Sequence, residues 1–201
     1  MARERHASEK HGRPSHRLHR RARIQRGRDR RPAAGSGILR MLKREAPGFA
    51  DAYVVDIPPQ LGVRETRRVT GRYQLTAEDV VSCASFDDSI GVNGWPIENH
   101  VAGDVVWRWP DIPGSRGFNH LPYRMLTPEG FDNLLIAGRC ASMTHEGQSA
   151  ARVSGACFVM GEAAGTAAHL ALIGNTGCAD IAVSLLQQTS ERGGVYLGRD
   201  I

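Results

Sequence analysis

Residues 134–155 read LLIAGRCASMTHEGQSAARVSG, and they hold the side chains best suited to chemistry. An apolar run meets Gly138, a polar stretch carries Thr144, His145, Glu146, Gln148 and Arg152, and a helix rich in glycine and alanine follows. The first turn of such a helix leaves backbone N–H groups without intrahelical acceptors, at the positive end of the helix dipole. That end suits a negative charge, or a carbonyl oxygen that gains electrons. An imidazole beside it can exchange a proton, and a guanidinium can hold an anion. His145 also has a plainer reading, as a surface or structural histidine.

These groups need elements to position them. Residues 133–138, NLLIAG, form a short apolar run that reads as a buried strand, and one long helix is expected from about residue 152 to 172. In open α/β sheets ligands gather beyond the carboxyl ends of strands, so the polar stretch would surround a pocket there. Gly161 and Gly165 lie one turn apart on one helix face. They would let a flat ligand or another backbone approach closely, or they serve tight helix-on-sheet packing.

Upstream, residues 38–48 predict a short helix stopped by Pro47 and Gly48. Residues 52–58, AYVVDIP, alternate like a strand. From Gly62 an extended segment carries Arg64, Arg67, Arg68 and Arg72, which either face a substrate or form a solvated or ion-paired surface. Thr76 with Asp79 makes a capping box that opens a helix through about Cys83. Strands are expected from Val105 and from Phe118, and Asp180 should cap a last helix stopped by Gly193 and Gly194.

Charge is unevenly spread. Residues 1–34 hold twelve Lys or Arg against three acids, whereas the remainder holds fourteen against eighteen. The basic character therefore belongs to a segment, residues 1–36, with too few large apolar side chains to offset its ordering entropy, and it reads as disordered. A nucleic-acid-binding arm, a transit peptide and an accidental leader are its competing explanations. The four cysteines, Cys83, Cys140, Cys157 and Cys178, lack CxxC spacing and so encode no metal or iron–sulfur site. Reduced thiols and a cytoplasmic setting are expected. No signal peptide is visible, and residues 153–172, which carry Glu162 and His169, read as no membrane span.

NLLIAGRCASMTHEGQSAARVSGACFVMGEAAGTAAHLA, residues 133–171, resembles the C-terminal signature of the FAD-dependent oxidoreductase family, related to the flavoprotein subunit of heterodisulfide reductase. LGVRETRRVTGRYQLTAEDV and FNHLPYRMLTPEGFDNLL are similar to two further stretches of that family, in the same order. The resemblance implies a mixed α/β fold of the glutathione-reductase type, in which a substrate domain interrupts a bipartite FAD-binding domain. It assigns residues 37–130 to part of the β-rich substrate domain and 131–201 to the C-terminal segment of the FAD domain. It implies that Gly138 and Arg139 approach the ribityl and pyrophosphate part of FAD. Arg152, Val153 and Ser154 would lie against the isoalloxazine, with Thr144 and Gly161 nearby. His145 would be an acid, base or substrate ligand. Arg124 and Arg64 would bind polar or anionic groups of a small substrate, with Tyr123 and Arg68 on the same side.

The βαβ unit with GxGxxG that grips most of FAD in such enzymes is not in this sequence. The expectation is therefore a C-terminal fragment with a partial FAD site, contributing to two-electron or hydride transfer. A non-catalytic remnant, or a split subunit that needs an N-terminal half in trans, is the alternative; a homo-oligomer is a further expectation. A basic nucleic-acid-binding protein ranks last, because the acidic body suggests no base readout. Any iron–sulfur cluster would belong to a missing part or a partner.

Overall fold

The computed structural model describes residues 35–58, 62–101, 104–110 and 115–199. The basic segment read as disordered lies outside the described residues, except for its last two positions, which begin a helix. Two compact units divide at Val63 and Arg64.

In the first unit, α1 spans residues 35–45, and the chain then turns through Gly48. The strand expected over residues 52–58 does not form. Tyr53 and Val55 are 77% and 85% exposed, and among the described residues of this unit no second strand exists to pair with. Alternation makes a strand only where a sheet receives one of its faces.

The second unit is a mixed α/β assembly, as its sequence implied. The capping box is present: the Asp79 N–H donates to Thr76 Oγ1 and the Thr76 N–H to Asp79 Oδ2, and α2 follows at Ala77–Val81. Two small antiparallel sheets come next. The first pairs β1 (Ser89–Asn93) with β4 (Asn119–Pro122), and the second pairs β2 (Ile97–Val101) with β3 (Asp104–Arg108). β4 falls within the strand expected from Phe118, and β3 begins one residue before the strand expected from Val105. β1 and β2 carry no sequence signal of their own length. After β4 the chain enters a 3₁₀ turn, Tyr123–Leu126.

Residues 133–137 are not the strand their apolar character suggested. They run as irregular chain, Ile136 donating one backbone bond to Leu126, and Gly138 opens a 3₁₀ turn, Gly138–Cys140. The site therefore does not sit beyond the end of a parallel strand. The expected long helix forms, and the polar stretch before it makes a short helix of its own. α3 covers His145–Ala151 with Thr144 as its N-cap, and α4 covers Ser154–Gly174. Arg152 closes α3, and extended Val153 breaks the helical path before α4. α5 spans Val183–Arg192. Its N-cap is Ala182, not Asp180, whose side chain lies exposed near Arg72 at 3.9 Å. Gly193 ends it as expected.

The core gathers under α4. Met160, Ala163 and Ala167 meet Ile90 of β1, Leu121 of β4 and Leu186 of α5, all buried. By length and composition α4 could cross a bilayer, with a mean hydropathy of 1.5 over its apolar window, so the sequence reading understated its hydropathy. A third of that window is buried, and that side packs in this core.

Candidate active site

α3 is the floor of the site. Thr144 accepts the Gly147 N–H at 3.1 Å and so starts the helix at His145. The Thr144 N–H itself donates to the Leu75 carbonyl at 2.8 Å. Gly147 is required here: a Cβ built on it would stand 2.2 Å from the Leu75 oxygen. Gln148, 1% exposed, donates to the Arg64 carbonyl at 2.8 Å and pins the arginine-bearing segment over the helix.

β2 forms the facing wall. Glu98 and His100 stand two residues apart on a strand and so share a face. A cavity of about 190 Å³ opens between the three elements. Arg64, Glu65, Glu98, His100, His145 and Arg152 supply its charged lining, with Gln148 and Ser149.

Two carboxylates organise these groups. Glu65 accepts from His145 Nδ1 at 2.9 Å and also pairs with Arg68. Glu98 accepts the Trp95 indole N–H at 3.1 Å through one oxygen. Its other oxygen faces His100 Nε2 at 2.7 Å, Arg64 at 3.7 Å and Arg152 at 3.8 Å. Burial pushes both carboxyl groups up. The opposing hydrogen bonds and charges outweigh it, from His145 and Arg68 at Glu65 and from His100, Trp95 and Arg152 at Glu98. Both are held below the usual carboxylate range and stay ionised.

The site residues inferred from sequence divide into groups. His145, Arg64 and Arg152 meet in this cavity. Thr144 serves as a helix cap. Arg124 is not brought here. Its guanidinium grips Asp88 at 2.9 and 3.2 Å and lies over the Tyr73 ring at 5.1 Å, so it ties the 3₁₀ turn after β4 to the residue before β1. Tyr123 does not face a substrate either; it is buried, and its hydroxyl donates to the Cys178 carbonyl. Glu65, Glu98 and His100 were missed. The i, i+2 placement of Glu98 and His100 was their only signal, and it has meaning only once residues 97–101 are known to be a strand.

A second set lies on the other side of the α3–α4 junction. Val153, the N-cap of α4, offers no side-chain cap, and Ser154 and Gly155 are exposed, so the first-turn N–H groups face outward. Gly138, at φ +71°, holds the 3₁₀ turn beside the Cys157 thiol. Burial pushes that thiol up, against the charge of exposed Arg139. Gly161 is exposed, and a Cβ added to it would meet nothing within 4 Å. The close approach expected there is therefore not made by any described part of the chain. These uncapped donors, the positive-φ glycine and the open helix face fit an extended anionic cofactor. Among the described residues no group of three or more His, Cys, Asp or Glu could hold a metal ion.

Neither the curated proteins nor the solved structures contain a match to the chain. The family model described as FAD dependent oxidoreductase matches residues 5–189, a span that includes α3, α4 and the cavity above them. The chain belongs to the FAD dependent oxidoreductase family.

Proposed function

We propose that this chain supplies the flavin-facing helix and the substrate cavity of an FAD-dependent oxidoreductase. One observation carries the reading: Arg152 lines the charged cavity, and the next residue, Val153, begins the uncapped end of α4. Substrate groups and cofactor donors are thus joined by a single peptide bond.

FAD, when bound, supplies two-electron chemistry, and the protein's part is placement and electrostatics. Gly138, Arg139, Val153, Ser154 and Gly161 would hold it, the first-turn N–H groups of α4 meeting a partial negative charge. His145 gives its Nδ1 side to Glu65, which leaves Nε2 as the nitrogen able to take a proton from a substrate. Arg64 and Arg152 orient the substrate. The kinship with the heterodisulfide reductase flavoprotein subunit rests on the three ordered motifs quoted above. GxGxxG is not among these residues, so the groups named here would hold part of FAD, and a half that carries the motif, in the same protein or in trans, would hold the rest.

Flavin titration of the purified chain, followed by fluorescence quenching, tests the proposal. Weak, saturable FAD binding is expected, and co-expression with a GxGxxG-bearing half of this family should turn it into retained, stoichiometric flavin. Flavin held stoichiometrically by the chain alone would overturn the partial site, and no flavin under either condition would overturn the flavin reading.

A further inference from the structure

His100 Nε2 lies 2.7 Å from Arg64 Nη1 and 2.7 Å from Glu98 Oε1. A guanidinium only donates, and an ionised carboxylate only accepts. One ring nitrogen cannot satisfy both. With a lone pair on Nε2, His100 accepts from Arg64 and faces Glu98 without a proton between them. With the proton on Nε2 instead, in the other neutral tautomer, it donates to Glu98 and can no longer accept from Arg64. That exchange frees an Arg64 N–H, on a side chain already half in solvent, to seek another acceptor.

The surrounding charges say what that acceptor is. Around the His100 ring stand Arg64 on the extended segment, Glu98 on its own strand and Arg152 at the end of α3; Glu65 and His145 complete the lining. With neutral imidazoles, Arg64 and Arg152 balance Glu65 and Glu98, and Arg68 behind Glu65 leaves one positive charge over. That excess matches a monoanion. A dianion would meet two fixed carboxylates with too little positive charge to compensate. The cavity, about 190 Å³, has room for about six water-sized groups at ~30 Å³ each. A guanidinium fork matches a carboxylate in shape as well as in charge.

We infer that the cavity between α3, β2 and the Arg64 segment binds a small carboxylic acid as its monoanion, held by the Arg64 N–H groups. The inference rests on reading this cavity as the substrate side of the enzyme, and it names the substrate class.

Propionate is the probe, with propionamide as its uncharged isostere and inorganic phosphate as the competing anion. Binding to the full chain is followed by the NMR signals of the His100 and His145 imidazoles. Propionate should shift them saturably, and about tenfold more weakly in Arg64→Gln, whose exposed side chain can change without disturbing the core. Equal binding of propionamide, tighter binding of phosphate, or a wild-type response in Arg64→Gln would overturn the carboxylate site. No propionate binding by a chain that still takes FAD defeats this inference alone, whereas loss of FAD binding as well defeats the reading beneath it.

Discussion

One oxygen of Glu98 faces three basic side chains, from β2, the extended segment and the end of α3. Removing its charge leaves Arg64, Arg152 and His100 crowded without an anion. Glu98→Gln should cost about 1.5–3 kcal/mol, the usual range for a hydrogen bond to a charged group. The pH dependence follows from the depressed carboxyl groups of Glu65 and Glu98. Their contribution is complete above the ordinary carboxylate range and is lost as pH falls through the lowered folded value. Denaturant unfolding across acid pH should therefore show a steeper loss for the wild type than for Glu98→Gln. Residue types alone do not reveal this hub. Arg124 and Glu98 look equally available in the sequence, yet Asp88 takes Arg124 into structure while β2 aims Glu98 at the cavity. Only the pairing of β2 with β3 decides between them.

At the scale of elements, what was legible is what depends on neighbours in sequence. The capping box of α2 is local, and so is the small-residue content of α4. β1, SIGVN, has polar residues at both ends; they are buried because β4 and α5 accept them, with Gln187 donating to the Ser89 carbonyl at 2.9 Å. Residues 133–137 show the reverse, an apolar run that finds no strand to pair with among the described residues. The glycines of α3 and α4 also part company. Gly147→Ala drives a methyl into the Leu75 carbonyl and should destabilise by about 3 kcal/mol, the upper part of the range for overpacking. Gly161→Ala meets open space on an exposed helix face and should stabilise the chain by about 0.5–1 kcal/mol. The same Gly161 change should weaken FAD binding if the cofactor uses that face. Thermal unfolding with and without FAD separates the two effects.

Across the whole molecule, one side of α4 is buried in the core and the other is strongly apolar and open. Phe158 and Leu172 are 76% and 81% exposed, at the two ends of the helix. A groove of about 670 Å³ runs beside it, between Phe158, Gly161 and the segment at residues 193–196. Large apolar side chains exposed in this way favour association, even with Glu162 and His169 exposed between them. Phe158→Lys with Leu172→Lys should lower self-association in sedimentation velocity while leaving the circular dichroism spectrum unchanged. Equal association of the double variant and the wild type would place the contact elsewhere on the surface.

The break at Arg152 and Val153 also bears on how such a protein can change over time. Because α3 and α4 are separate helices, substitutions along α3 can retune what the cavity admits without turning α4. Length is a different matter. One inserted residue at the start of α4 would rotate its remaining faces by about 100° relative to the core. The junction should therefore tolerate new side chains readily and insertions hardly at all, a pattern of variation opposite to that of an ordinary surface loop.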